Sequence, residues 1–75
     1  MLELIEFLVK NLVSNPNEVQ LKEIQGETTT IVEVVVDKED MGYVIGKQGR
    51  VINAIRDVVR AGLGRSDKKI IIEVV

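Results

Sequence analysis

Positive charge and bare backbone occur together in one short segment of the chain, Gly46-Lys47-Gln48-Gly49-Arg50. A glycine has no Cβ, so it permits positive φ and allows another backbone to approach closely. Lys47 and Arg50 place cations beside this turn, and the amides that open the following helix point into the same space. A tight turn with exposed amides, cations and no blocking side chain is suited to binding a phosphate.

The residue types that catalysis and metal binding require are scarce in this chain. It contains no Cys and no His, which removes thiolates together with the commonest general base and metal ligand. The glycine segment lacks the Gly-Lys-Ser/Thr of a P-loop, and Gln48 cannot supply the hydroxyl that binds Mg²⁺. Asp37, Glu39 and Asp40 precede a predicted helix, where acidic residues usually act as caps. We therefore predict a non-catalytic protein that uses no metal and no cofactor.

Charge is distributed unevenly along the chain. The net charge is −2, but residues 1–40 contain nine acidic and three basic residues, whereas residues 41–75 contain three acidic and seven basic ones. Contact with phosphates depends on the local potential more than on the overall sum. The basic second half, which includes the glycine segment, is therefore compatible with nucleic-acid binding.

The apolar segment at residues 2–13 is not predicted to cross a membrane. It is too short for a bilayer, and it carries Glu3, Glu6 and Lys10. It does not resemble a signal peptide either. We expect a cytoplasmic protein with no membrane partner.

Hydrophobic periodicity and turn residues divide the chain into six elements. The predicted helices cover residues 2–13, 39–45 and 50–62, and the predicted strands cover residues 18–25, 29–37 and 68–75. The first two strands pair antiparallel because a short turn joins them, and the third reaches the second by a right-handed crossover that makes those two parallel. The predicted fold is α+β, in the order α-β-β-α-α-β, with three helices on one face of a three-stranded mixed sheet.

Residue patterns assign faces to the central strand and to the longest helix. Val32, Val34 and Val36 are predicted to face the helices, because alternate residues of a strand share a face. On the helix over residues 50–62, polar side chains fill one arc of about 120°. This polar arc consists of Arg50, Asn53, Arg56, Asp57 and Arg60. We expect the rest of that helix to be buried.

Residues 44–55, VIGKQGRVINAI, resemble the signature of the KH domain, in which a GXXG loop clamps a nucleic-acid backbone. The match consists of the two glycines, a basic residue between them, and apolar residues at helical spacing on both sides. The whole chain, residues 1–75, fits one such domain. It resembles in particular the small bacterial single-KH proteins of the KhpA type. The resemblance implies the type II KH fold and an RNA-binding protein that acts in RNA regulation, for example as an RNA chaperone.

The resemblance also implies a set of contact residues for a single-stranded RNA of about four nucleotides. Lys47, Gln48 and Arg50 would touch phosphates along the Gly46–Gly49 turn. An apolar floor would come from Val44, Ile45 and Ile52. The other expected contacts lie on the polar arc and on the loop that follows it, at Asn53, Arg56, Arg60, Arg65 and Lys68.

Alternative functions remain compatible with the residues. The same helix-turn-helix segment could bind duplex or single-stranded DNA if its second helix presented base-reading side chains. The chain could also be a protein-interaction adaptor without RNA binding, although Lys47 in the turn favours the RNA reading. Members of the resembled family often form homodimers, or pair with a larger KH-containing protein. Either the open face of the sheet or the helix side, around Phe7 and the helix over residues 50–62, could be the contact surface.

Overall fold

The residues described in the computed structural model, 2–63 and 69–75, form six regular elements. They are α1 (Leu2–Lys10), β1 (Gln20–Gln25), β2 (Thr29–Val35), α2 (Met41–Ile45), α3 (Arg50–Leu63) and β3 (Lys69–Val74). Single 3₁₀ turns at Pro16–Glu18, Lys38–Asp40 and Lys47–Gly49 lead into β1, α2 and α3. The predicted order of helices and strands is confirmed. Within the described ranges, no helix is long and apolar enough to cross a membrane.

The sheet has the predicted topology, with strand order β1-β2-β3. β2 is antiparallel to β1 and parallel to β3. The β-branched run of β2 occupies the centre because its backbone groups are then paired on both sides, and its side chains pack on a pleated surface. Val32 lies opposite Glu23 of β1 and opposite Ile72 of β3.

The core lies between this sheet and the helices on one of its faces. The predicted inward residues Val32, Val34 and Val36 are buried, whereas Val35 is exposed on the open side. α1 contributes Ile5 and Val9, which are four residues apart and therefore share one helix face. The remaining buried apolar residues are Val44, Ile52, Ile55, Val59 and Ile72.

α1 ends earlier than the apolar periodicity predicts. Its last helical residue is Lys10 rather than residue 13. The Phe7 oxygen accepts both the backbone N–H of Asn11 at 3.2 Å and its side-chain Nδ2 at 2.7 Å. The N–H of Leu12 then donates to the oxygen of Val9 at 3.0 Å, so the chain leaves the helix through a tighter turn.

Two of the acidic residues before α2, Asp37 and Asp40, have structural roles, and these roles differ. Asp37 is a cap, as predicted, because its Oδ1 accepts the backbone N–H of Glu39 at 3.0 Å. Asp40 is 1% exposed, and its carboxylate accepts the backbone N–H groups of Ser14 at 3.1 Å and Asn15 at 3.0 Å. Asp40 therefore fixes the segment after α1 to the start of α2, a long-range role that sequence spacing does not reveal.

The prediction that α3 is buried around most of its circumference is wrong. Among residues 50–62, only the stripe of Ile52, Ile55 and Val59 is buried, while Ala54 is exposed and Val58 has 48% of its surface exposed. α3 packs against α1 and α2, and nothing among the described residues covers its opposite side. The outward side of α3 is therefore partly apolar and open to solvent.

Candidate functional site

The turn between α2 and α3 reverses the chain through unusual backbone conformations. Gly46 has φ 77° and ψ 172°, Gln48 has φ 57°, and Gly49 has φ 75°. Positive φ is readily adopted by glycine but strained for most side-chain-bearing residues. These conformations end α2 at Ile45 and start α3 at Arg50, so the GXXG segment becomes an exposed corner.

The first glycine is required for packing within the protein. A Cβ on Gly46 would overlap Cγ2 of Val51 and would lie 2.7 Å from the Val51 backbone N. The end of α2 and the start of α3 therefore approach each other through Gly46. This role is structural and does not depend on any ligand.

The second glycine differs, because a side chain there would meet no clash. A Cβ on Gly49 would meet nothing closer than Nδ2 of Asn53 at 3.7 Å and Cγ2 of Ile52 at 3.9 Å, which are ordinary contact distances. Its φ of 75° favours glycine, but no neighbouring atom forbids a side chain. Gly49 is half-buried, and its backbone is not needed for close packing as that of Gly46 is.

Two backbone hydrogen bonds close the turn. The N–H of Gly49 donates to the oxygen of Gly46 at 3.2 Å, and the N–H of Arg50 donates to the oxygen of Lys47. The first amide of α3 is therefore already used within the protein. Between these bonds, the side chains of Lys47 and Gln48 are exposed.

The predicted apolar floor is reduced to one residue with accessible surface. Val44 is 0% exposed and Ile52 is 6% exposed, so both belong to the core and support the turn from below. Ile45 is half-buried at the end of α2. Of these three, only Ile45 has side-chain surface to offer a ligand.

The predicted basic residues fall into distinct environments. Lys47 and Arg50 are exposed, and neither has a carboxylate partner in the part of the chain that the structure describes. Arg60 pairs with Asp57 at 3.5 Å, but both side chains are about three-quarters exposed, so the pair is weak. Two further basic residues of the predicted set, Arg65 and Lys68, lie outside the described residues.

Arg56 is held against β3 instead of extending into solvent. Its Nη2 donates to the backbone oxygen of Ile72 at 2.8 Å, and its Nη1 donates to Oδ1 of Asn53 at 3.0 Å. Arg56 and Asn53 are thus brought together between the turn and the edge of the sheet. The helical wheel grouped Arg56 with Arg60, and no sequence signal could reveal a contact that depends on the position of β3.

A GXXG turn between two helices, followed by a strand parallel to the central one, is the arrangement of a type II KH domain. The family model described as KhpA/KhpB, KH domain, matches residues 2–74.

Curated relatives match over nearly the full chain. The chain is 47% identical to the RNA-binding protein KhpA of Clostridium perfringens, with both chains covered completely. It is 45% identical to the RNA-binding protein KhpA of Caldanaerobacter subterraneus, with 97% of each chain covered. Its identity to the RNA-binding protein KhpA of Chlamydia trachomatis is 46%, over 99% of this chain and 95% of the relative. No solved structure matches the chain. The chain belongs to the KhpA/KhpB KH-domain family, and the predicted resemblance is confirmed.

Proposed function

We propose that this chain is a non-catalytic RNA-binding protein that clamps the sugar-phosphate backbone of a short single strand at the turn over residues 46–49. The observation that carries the proposal is the combination of a tight turn, with positive φ at Gly46 and Gly49, and the exposed cations Lys47 and Arg50 beside it. Its relatives are named RNA-binding proteins. The proposal includes a cytoplasmic location and a role in RNA regulation.

Binding would begin with one phosphate at the turn. Backbone amides and nearby ammonium or guanidinium groups make charge-assisted hydrogen bonds to phosphate oxygens. With no side chain at Gly49, the next nucleotide would lie close to the protein backbone. The strand would continue past Ile45 and along Asn53 and Arg56 toward the edge of β3, a path for about four nucleotides. Arg60, Arg65 and Lys68 would add charge along its flank.

Duplex DNA binding by α3 is the weaker alternative. A recognition helix inserts side chains into the major groove and needs them free to reach base edges. Asn53 and Arg56 are bonded to each other, and Arg56 is also bonded to Ile72. This arrangement favours a single strand that lies along the protein surface over a duplex whose major groove receives α3.

The salt dependence of RNA affinity tests the electrostatic part of the proposal. We expect about 2–4 phosphate contacts, from Lys47, Arg50 and one or two further cations. Each contributes about −0.7 to the slope for a single strand, so log K against log salt should fall with a slope of about −1.5 to −3. Fluorescence anisotropy with a labelled oligonucleotide measures this slope. A slope near zero contradicts the proposal, and a preference for duplex DNA supports the alternative.

We extend the proposal to pairing with a second KH domain, either another copy of this chain or a related protein. A short groove binds RNA weakly, and joining two grooves raises the overall affinity. One apolar surface is the open face of the sheet, where Ile24, Ile31 and Ile71 lie opposite one another across the three strands. The other is the outward side of α3 around Val58.

Sedimentation over a range of concentrations tests pairing and identifies the surface. Ile24 and Val58 are 44% and 48% exposed, so Ile24→Lys and Val58→Lys should both fold. We expect wild type to associate and one of the two variants to remain monomeric, which assigns the interface to that variant's surface. A wild-type chain that stays monomeric at every concentration, with and without RNA, contradicts pairing and leaves the turn assignment unaffected.

A further inference from the structure

The free edge of β3 presents the backbone groups of its even-numbered residues. The amide of Lys69 donates to the oxygen of Thr28, and the amide of Val75 donates to the oxygen of Val34, each at 2.9 Å. Odd-numbered positions of β3 therefore face β2. In a parallel pair, the N–H and C=O of one residue point to the same side and alternate along the strand. The carbonyl of Ile72 consequently points to the free edge.

Arg56 covers this carbonyl. Its Nη2 lies 2.8 Å from the oxygen of Ile72, while Asn53 holds its Nη1 at 3.0 Å. Asn53 itself lies beside Gly49, since its Nδ2 is 3.7 Å from the position of a Cβ there. The side chains of Asn53 and Arg56 therefore form a continuous row of polar groups from the turn to the edge of β3. This row follows the path that the proposed function gives to the RNA.

At this point of the sheet edge, the group offered to a ligand is therefore the Arg56 guanidinium, which donates hydrogen bonds, and not the Ile72 carbonyl, which accepts them. Arginine has five N–H groups and no acceptor, and two of its groups are occupied by Asn53 and Ile72. The N–H groups that remain are fixed in direction, because both ends of the planar fork are held. No carboxylate pairs with this side chain within residues 2–63 and 69–75.

Nucleobases differ in whether they match such a donor. Cytosine presents neighbouring acceptors at N3 and O2, and guanine presents them at O6 and N7, to which arginine binds bidentately. Adenine places its amino donor beside the acceptors N1 and N7, so a two-bond contact at either position needs an acceptor as well as a donor, and Arg56 covers the Ile72 carbonyl. We infer that Arg56 reads a base and does not bind a phosphate, and that it selects cytosine or guanine over adenine at the β3 edge. This inference rests on the proposed RNA-binding function.

Binding of cytosine and adenine tetranucleotides to wild type and to Arg56→Met tests the inference. One good bidentate contact corresponds to a discrimination of about tenfold, so wild type should bind the cytosine oligonucleotide about tenfold more tightly. Arg56→Met removes the donors and uncovers the Ile72 carbonyl, and it should abolish this preference. Its salt slope should stay at the wild-type value, since no phosphate contact is lost. Arg60→Met is the matched control, with the same charge change on α3, and it should keep the preference for cytosine.

A second variant keeps the inference testable if Arg56→Met does not fold. Arg56→Lys retains the charge and a donor but loses the planar fork. A phosphate contact would survive this change, whereas the base preference should disappear. Circular dichroism establishes that each variant is folded before binding is compared.

The outcomes separate this inference from the proposed function. Wild type that binds RNA without preferring cytosine overturns the inference alone. So does an Arg56→Met variant that keeps the preference while its salt slope becomes shallower by about 0.7, the value for one lost phosphate contact. Wild type that binds neither oligonucleotide overturns the proposed function and this inference with it.

Discussion

Replacing Lys47 and Gln48 together by Asp is expected to weaken single-stranded RNA binding by about 100-fold or more while the fold is retained. The change removes one cation and places two carboxylates on the turn. Charge-assisted hydrogen bonds contribute about 1.5–3 kcal/mol each, and repulsion of the phosphate adds to their loss. Fluorescence anisotropy with a short labelled RNA measures the affinity.

The fold of this double variant should survive, because both side chains are exposed. Asp is also one of the residues that tolerate the positive φ of position 48, which is 57° in the structure. Its melting temperature should therefore stay close to that of wild type. The matched control is Gln20→Asp with Lys22→Asp, which makes the same charge change at exposed positions of β1. If the turn variant binds RNA as tightly as this control, the turn is not the clamp.

Alanine at the two glycines of the turn should have very different effects on stability. Gly46→Ala combines a strained backbone conformation with a Cβ that overlaps Val51, and we expect it to lower the free energy of unfolding by about 3 kcal/mol or more. Gly49→Ala adds only the strain of its positive φ and should lower that free energy by about 1–2 kcal/mol. Chemical denaturation of both variants measures the difference.

Comparing the two alanine variants also separates the packing role of Gly46 from the proposed contact of Gly49 with RNA. A domain of this size has a stability of only about 5 kcal/mol, so Gly46→Ala should be largely unfolded at moderate temperature. Gly49→Ala should remain folded and bind RNA more weakly, because its new methyl group would lie where the RNA backbone is proposed to approach. Equal losses of stability in the two variants would contradict the separate roles assigned to the glycines.

The sequence predicts the topology of this fold well because its strongest signals are local. The β-branched residues of β2 identify the central strand, and their alternation assigns Val32 and Val34 to the core. The two glycines with a cation between them mark the corner between α2 and α3. These features depend on neighbours along the chain, which periodicity and turn chemistry describe directly.

Features that depend on tertiary neighbours could not be predicted from the sequence. A helical wheel shows which residues of α3 share a side, but not how many elements cover that side, so the exposure of Val58 could not be predicted. Arg56 and Arg60 are one turn apart, yet only Arg56 reaches the edge of β3. For the same reason, the sequence could not show that Asp40 holds two amides of a distant segment.

The most direct test of the central claim is to follow backbone amide chemical shifts by NMR while a single-stranded tetranucleotide is added. The account predicts the largest changes at Lys47, Gln48 and Gly49, with smaller changes along Asn53 and Arg56. It predicts little change on the open face of the sheet at Ile24 and Val35. Shifts concentrated on that open face, with the turn unaffected, would contradict the claim that the turn clamps the RNA backbone.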